Sequence, residues 1–433
     1  MKKCRLGDIS WCQTGPFGSQ LHEEDYVEFG TPIITVEHLG DTGFTSQNLP
    51  FVSKQDAIRL SKYTLLEGDI VFSRVGSVDR STYVRKSEEG WLFSGRCLRI
   101  RCKNEKVNPR YLSYYFKLNN FKQMMKNNAV GATMPSLNTD IMNNTILHLL
   151  EREHQDRIAD FFDAIDSKIE NNNRIITELE SMAKLIYNYW FVQFDFPDEN
   201  GRPYKSSGGK MVWNDELKRE IPEGWEVKSF AKIVLSIKTG LNPRKNFKLN
   251  TGSIKYVTVK NLNENGVLDF KGCDTIDSTA RDIIHQRSDV SKGDILFASI
   301  APLGRCYIVQ QTPHEWEINE SVFSIRPNQE CSNASFVYMI LTDTNFIKKA
   351  TSCSSGSVFQ GIRIKELFNL PVVIPKPNIM GKFEKILNPI FLLKHNAINE
   401  NQQLASLRDF LLPLLMNGQV TIGENAGEIK EEN

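Results

Sequence analysis

Residues 151–193 read EREHQDRIADFFDAIDSKIENNNRIITELESMAKLIYNYWFVQ. Apolar side chains fall at Ile158, Phe162, Ile165, Ile169, Ile176, Leu179, Ala183, Ile186 and Trp190, in alternating steps of four and three, and Asn172 fills the one polar slot. No Pro or Gly interrupts the run from Ile158 to Trp190. A 3.5-residue apolar period is the signature of a helix that packs lengthwise on another helix. At 1.5 Å per residue this stretch makes a rod of roughly 50 Å, too long for an ordinary globular helix, so a partner must cover its seam. Asn172 in that seam is expected to set register, unless it turns to solvent.

The same chain supplies a partner. Residues 379–416 read IMGKFEKILNPIFLLKHNAINENQQLASLRDFLLPLLM. Phe383, Ile386, Ile390, Leu393, Ala397, Leu404, Leu407, Leu411 and Leu414 again step by threes and fours, with Glu400 in the polar slot. The stripes are long and narrow, which predicts one intramolecular coiled coil; two separate amphipathic helices would carry broader, shorter stripes. Pro389 is expected to kink this second helix or to mark where its regular part begins.

An internal repeat surrounds both stripes. Thr14-Gly15 recurs as Thr239-Gly240, Gly68-Asp69-Ile70 as Gly293-Asp294-Ile295, Gly131 as Gly356 and Leu179 as Leu404, all at an offset of 225 residues. Thr35-Val36 and Leu39 recur as Thr258-Val259 and Leu262 at 223. The period is far too long for a solenoid and predicts a duplicated unit of globular domain plus long helix.

Within each unit, Pro32–Val36, Asp69–Ser73, Leu98–Arg101, Ile254–Val259, Asp294–Ala298 and Val322–Arg326 predict strands, with Gly, Asn, Asp and Ser clusters as turns between them. One helix per unit is expected, at Asn108–Lys126 and Ser332–Ala350. The segment 195–226 is rich in Pro, Gly, Ser and Asn and predicts a surface connection. The expected organisation is a first domain at 1–150, a first long helix at 151–194, the linker 195–226, a second domain at 227–377, a second long helix at 378–418 and a polar, acidic tail at 419–433.

Bulk composition excludes several classes. At 433 residues the chain can form two or three domains, and its net charge of +1 confines any nucleic-acid surface to a local patch. Eight cysteines show no CxxC pairing, so no zinc knuckle is expected. No run of eighteen apolar residues predicts a membrane span, and the first residues lack the apolar core of a signal peptide. Reduced thiols in a cytosolic protein are the corresponding expectation. No Walker loop, HExxH, GxSxG or GxGxxG occurs. Asn108-Pro109-Arg110-Tyr111 is similar to the Asn-Pro-Pro-aromatic corner of adenine methyltransferases, but Arg110 replaces the second proline and no glycine-rich cofactor loop accompanies it.

Basic residues cluster instead. Arg74, Arg80, Arg85, Lys86, Arg96, Arg99, Arg101, Lys103 and Lys106 fall within one stretch that holds only four acids. Arg99 and Arg101 alternate with apolar residues and so share one strand face. In the second unit Lys238, Arg244, Lys245 and Lys248 flank the Thr-Gly turn and Arg305 follows Gly304. Such runs are either a solvated face or a groove that tracks phosphates, with adjacent polar loops reading base edges. Two such units joined by one rod favour the groove, because that arrangement suits two separated half-sites.

At this point the chain resembles the specificity (S) subunit of type I restriction-modification enzymes. The paired EGDI and KGDI motifs, GATMPSLN before the first rod, WFVQFDFPDENGRPYKSSGG after it and IPEGWEVKSF carry the resemblance, which runs from about residue 3 to about residue 420. The Pro-Pro-x-x-Glu-Gln signature common in that family is degenerate here, as Leu149-Leu150-Glu151-Arg152-Glu153-His154-Gln155 and Pro375-Lys376-Pro377-Asn378. The resemblance implies an α+β chain of two pseudo-repeated target recognition domains joined by two long helices in an antiparallel coiled coil. It also implies that each domain reads half of a bipartite double-stranded DNA target, that the helices set the gap, and that the subunit is not itself catalytic. Two methyltransferase (M) subunits and two restriction/translocase (R) subunits are the implied partners, and S-adenosylmethionine, ATP and Mg belong to them.

The candidate DNA contacts lie in the polar loops: Thr14, Gln20, Arg74, Ser77, Arg80, Ser81, Thr133, Ser136 and Asn138 in the first domain, and Lys238, Arg244, Lys245, Arg305, Ser355 and Gln360 in the second. Competing readings are a stand-alone DNA methyltransferase or nuclease with a divergent site, and a coiled-coil scaffold without a DNA role.

Overall fold

The computed structural model describes residues 1–17, 20–131, 133–352 and 361–423. The chain divides into two compact units, one formed by Met1–Asn171 with the residues from Asn401 onward, the other by Asn172–Glu400. Two long helices, Arg152–Tyr187 and Pro377–Met416, each contribute to both units. The fold is α+β, with a mixed domain that occurs twice and two long helices that pair as an antiparallel coiled coil.

The globular frame repeats strand for strand. In the first unit a four-stranded antiparallel sheet runs Ser10–Thr14, Cys97–Cys102, Ile70–Ser73, Ser81–Tyr83. In the second the order is Val234–Thr239, Val322–Pro327, Ile295–Ala298, Cys306–Ile308. A smaller sheet in each unit holds one parallel pair, Ile33 beside Leu92 and Val257 beside Ile318. A third antiparallel pair, Lys2–Arg5 with Ile146–Leu149 and Glu226–Ser229 with Pro371–Ile374, leads into each long helix.

The Gly-Asp-Ile repeat has a local cause. Gly68 and Gly293 turn the chain into a central strand at φ +88° and +87°, a left-handed conformation that a side chain would strain. The following aspartates are almost fully buried. Asp69 accepts from the Leu66 amide at 2.9 Å and from Arg101 Nε at 2.6 Å. Asp294 accepts from the Ser291 amide at 2.9 Å and from Arg326 Nε at 2.8 Å. Each pair ties the turn to the neighbouring strand.

Three expectations need correction. Asn108–Lys126 is two helices, Pro109–Phe116 and Asn119–Asn128, and Ser332–Ala350 is likewise Ala334–Thr342 and Thr344–Ser352. Leu118 and Asp343 take extended ψ values of 134° and 131° at the breaks, and the Asp343 carboxylate accepts from the Phe346 amide at 2.9 Å to start the second helix. The segment 195–226 is more than a surface connection. It forms a hairpin, Met211–Asn214 with Arg219–Pro222, and buries Phe196, Ile221 and Trp225 in the core of the second unit, beside Phe194. Its polar composition belongs to the turns, while its aromatic residues do the packing.

The third correction concerns the second helix. The first helix buries Ile158, Phe162, Ile165, Ile169, Asn172, Ile176 and Ala183, with Leu179 and Ile186 half-buried. The second buries Phe383, Ile390 and Ala397, with Leu404, Leu411 and Leu414 half-buried, but Ile386, Leu393 and Leu407 are exposed. Leu387, Lys394 and Leu415 are buried instead, and Arg408 is largely covered. Two of those residues are charged because they meet acids on the first helix, so an apolar count shifts the stripe by one residue. Pro389 neither starts nor ends the helix, which begins at Pro377, a position where a missing N–H costs nothing.

Polar contacts show the pairing direction. In the first unit Arg408 Nη1 lies 2.9 Å from Asp166 Oδ1. In the second, Asn172 Nδ2 donates to Glu400 Oε2 at 2.7 Å and Lys394 Nζ lies 2.6 Å from Glu180 Oε1. Rising numbers on one helix meet falling numbers on the other. Burial pulls the Lys394 ammonium below the usual lysine range, and Glu180 opposes that shift. Removing one partner of such a pair strands the other. Lys394→Met is expected to lower stability by about 2–3 kcal/mol, and the double change Glu180→Leu with Lys394→Met to recover most of it, read as urea midpoints of the full chain.

Candidate nucleic-acid interface

The basic stretch of the first unit sorts into two groups once its partners are known. Arg101 is held by Asp69, and Arg85 by Glu170 and the Thr42 carbonyl. Arg99 donates to the Thr64 carbonyl at 2.8 Å and to the Gln13 side chain. Burial lowers the Arg99 pKa, with Arg101 adding repulsion. Arg99 and Arg101 do share a strand face, as alternation requires, but that face is internal structure and not a phosphate track.

A second group borders a cleft of about 950 Å³ in the first unit, lined by Pro16, Phe17, Leu21, His22, Tyr26, Thr35, Val36, Glu37, Arg74, Val75, Arg80, Ser94, Gly95 and Arg96. Arg74 directly follows the strand Ile70–Ser73. Its Nη1 donates to the Gly95 carbonyl at 3.0 Å and its Nε to the Leu137 carbonyl at 3.2 Å, and its guanidinium stacks 4.6 Å from the Phe17 ring centre. Arg80 and Arg96 are exposed. Gly15 packs closely on Ser94 of the cleft lining: a Cβ there would strike the Ser94 carbonyl, and one at Gly240 would strike the Ile318 carbonyl in the second unit. That contact explains the repeated Thr-Gly pair.

The remaining candidates of the first unit are less uniform. Thr14 ends its strand, and Gln20 is exposed but accepts from the Tyr63 hydroxyl at 2.7 Å. Ser77 and Thr133 are exposed, whereas Ser81 is buried in its strand, so Ser81 is not a surface contact. Ser136 Oγ donates to the Val130 carbonyl at 3.3 Å. Asn138 caps the helix Thr139–Asn144, accepting from the Ile141 amide at 2.8 Å.

In the second unit Arg244 and Lys245 are exposed in the loop after the Thr-Gly turn. Arg305 lies 3.3 Å from Glu264. Lys238 is bonded to Asp289 at 2.8 Å, and together with Arg326 it holds that carboxyl below the usual range. Lys238 is thus engaged in structure. Arg287, whose Nη2 lies 3.2 Å from Thr239 Oγ1, is an exposed cation at the same turn that the loop reading missed. Its helix, Ser278–Ser288, has a sparse apolar pattern and was not among the expected elements. Ser355 and Gln360 lie outside the described residues.

Groups that resemble catalytic arrangements have structural duties. Asn108 caps its helix through the Arg110 amide at 2.8 Å, and its Nδ2 donates to Asp156. The Asn108 amide donates to Gln155 Oε1 at 2.9 Å, so Gln155 of the degenerate signature fastens the first domain to the long helix. Glu317 is fully buried between His285 Nδ1 at 2.6 Å and Ser288 Oγ at 2.7 Å. The carboxylate stands between serine and histidine, so the imidazole cannot take the serine proton and no nucleophile is activated. Among the described residues no cluster of His, Cys, Asp and Glu could hold a metal ion, and no helix is long and apolar enough to cross a membrane.

The repeat agrees with comparison to known proteins. The family model for the type I restriction modification DNA specificity domain matches residues 1–181 and, a second time, residues 222–407. The chain belongs to the type I restriction-modification specificity subunit family. It is 27% identical over 323 residues to the type I restriction enzyme MjaIX specificity subunit of Methanocaldococcus jannaschii, covering 73% of this chain and 70% of that protein. It is 23% identical over 411 residues to the HindI specificity subunit of Haemophilus influenzae, covering 83% and 88%. In fold it is similar to the crystal structure of the S subunit from M. genitalium, with a TM-score of 0.59 at 15% identity and 96% of each chain covered.

The division of the arginines has a measurable consequence. Arg101→Met is expected to lower the thermal midpoint while leaving the salt dependence of DNA binding unchanged. Arg80→Ala is expected to do the reverse, reducing the slope of log K against log salt by about 1 with no change in stability.

Proposed function

We propose that this chain is the sequence-reading subunit of a type I restriction-modification complex, and that it performs no chemistry itself. Each domain reads one half of a bipartite double-stranded DNA target, and the paired helices set the unread gap between the halves. One observation carries this reading. The same strand frame occurs twice, and each copy leads into one of two helices that pair antiparallel. A duplicated reader on a stiff spacer suits a split target, as paired half-sites suit dimeric readers.

Partner docking draws on a second feature. In the second unit the helices leave Ile175, Met182, Leu185, Ile386, Leu392 and Leu393 exposed, and in the first unit Leu407 and Phe410. Large apolar side chains on the outside of a long helix mark a surface built to be covered. We assign that covering to two methyltransferase subunits, with two restriction/translocase subunits completing the complex. S-adenosylmethionine, ATP and Mg act on those partners.

Selection from a random duplex library with the full chain tests the reading: two short motifs at a fixed separation are expected. An unenriched library would leave only a scaffold, and S-adenosylmethionine binding by the purified chain alone would indicate a methyltransferase. Inserting one heptad in each helix lengthens the spacer by about 10 Å, and should widen the gap by about three base pairs with both half-sites kept. Altered half-sites at constant gap would refute the spacer role.

A further inference from the structure

We infer that Arg74 is the side chain with which the first domain recognises a guanine in its half-site, and that the second domain lacks this contact. The inference rests on the DNA-reading function proposed above and names one base within it.

Arg74 is pinned by its backbone, its amide donating to the Arg96 carbonyl at 2.9 Å and its carbonyl accepting from the Leu137 amide at 2.8 Å. Its side chain is pinned as well, by the Leu137 and Gly95 carbonyls and by the Phe17 ring. Three loops that are distant in sequence therefore converge on one guanidinium. Of its five N–H groups two are used, and both hydrogens of Nη2 and one of Nη1 have no acceptor among the described residues. They belong to a planar donor held in one orientation at the cleft wall. Guanine presents two adjacent acceptors, O6 and N7, in the major groove, and arginine matches that pair.

A phosphate contact asks for less. It needs a charge within reach and tolerates a mobile side chain, which describes the exposed Arg80 and Arg96 beside the same cleft. Arg74 has the opposite character. Two carbonyls and an aromatic ring hold its guanidinium in place.

The duplication supplies an independent comparison. The backbone frame around Arg74 recurs at Ser299, whose amide donates to the Ser321 carbonyl at 3.0 Å and whose carbonyl accepts from the Ile362 amide at 2.8 Å. The frame is kept, yet 225 residues on from Arg74, Arg96 and Phe17 stand Ser299, Ser321 and Asn242. Ser299 is buried and spends its hydroxyl on the Ser321 carbonyl at 2.8 Å. A residue needed by the fold would have recurred, as the Asp69–Arg101 pair does in Asp294–Arg326. What differs between two equivalent frames is what two different half-sites require.

Library selection with the full chain, compared between wild type, Arg74→Ala and Arg74→Met, tests this. Arg74→Met keeps the apolar stem against Phe17 and serves should Arg74→Ala fail to fold. The wild type is expected to show a guanine in one half-site favoured roughly 10- to 100-fold over other bases, and both variants to lose that preference while the other half-site stays intact. The intact half-site reports that the variant is folded. Survival of the guanine preference in the variants overturns the inference, and so does a loss spread equally over both half-sites. If the wild type itself enriches no split motif, the DNA-reading function fails first; a split motif that is indifferent to Arg74 defeats this inference alone.

Discussion

Antiparallel pairing between two helices whose contacting residues lie more than 200 positions apart in the chain is the constraint on which the architecture depends. It explains why the first compact unit is not continuous in sequence. The first unit takes Arg152–Asn171 from one helix and the residues from Asn401 onward from the other, and the second takes the remainder of both. An apolar seam alone fixes this weakly, because a slip of one heptad restores most aliphatic contacts. The polar groups make a slip costly. A shift of seven residues would set Arg408 against Ala159 or Asn173 instead of Asp166, and Lys394 against Asn173 or Tyr187 instead of Glu180. Each shift would leave a buried charge without its counter-charge. The seam has therefore given up apolar area for a defined register, as a single polar residue does in shorter coiled coils.

The same logic of buried charge runs through the two domains. Asp69 and Asp294 are almost wholly shielded from water, each taking an amide from the preceding turn and an arginine from the adjacent strand. Both occur at the point where a left-handed glycine delivers the chain into the centre of a sheet. The result is a rigid frame with its loops at one margin of the sheet. Rigid frames with variable margins suit readers, because a base contact is selective only if the donor is held within a fraction of an ångström of its place.

The long helices, the central strands and the duplication were legible in the sequence because each leaves a pattern spread over many residues. A heptad stripe tolerates one wrong position, and a repeat offset is supported by several separate matches. The second stripe shows where this fails. Counting aliphatic residues selects Ile386, Leu393 and Leu407, whereas the structure buries Leu387 and Lys394 and covers most of Arg408. A lysine and an arginine can occupy a seam when their acids lie on a helix that no local window contains. The breaks at Leu118 and Asp343 were hidden for a similar reason, since each rests on one backbone torsion and its cap.

The candidate interface was drawn by the sequence only in outline. Position in a basic run did not distinguish Arg101, committed to Asp69, from Arg80, which is exposed. With a net charge of +1 the chain has no general attraction for nucleic acid, so an anion-binding surface has to come from cations left over after internal pairing. In the first unit the exposed Arg80 and Arg96 line the cleft together with Arg74, which the Gly95 and Leu137 carbonyls hold. In the second unit Lys238 is committed to Asp289, and Arg244, Lys245, Lys248 and Arg287 are exposed cations around the equivalent turn. The two domains thus share a scaffold but not an electrostatic face. In the DNA-reading role proposed above, a chain built this way separates what folds from what reads, and substitutions at the reading positions can change a target without disturbing the frame.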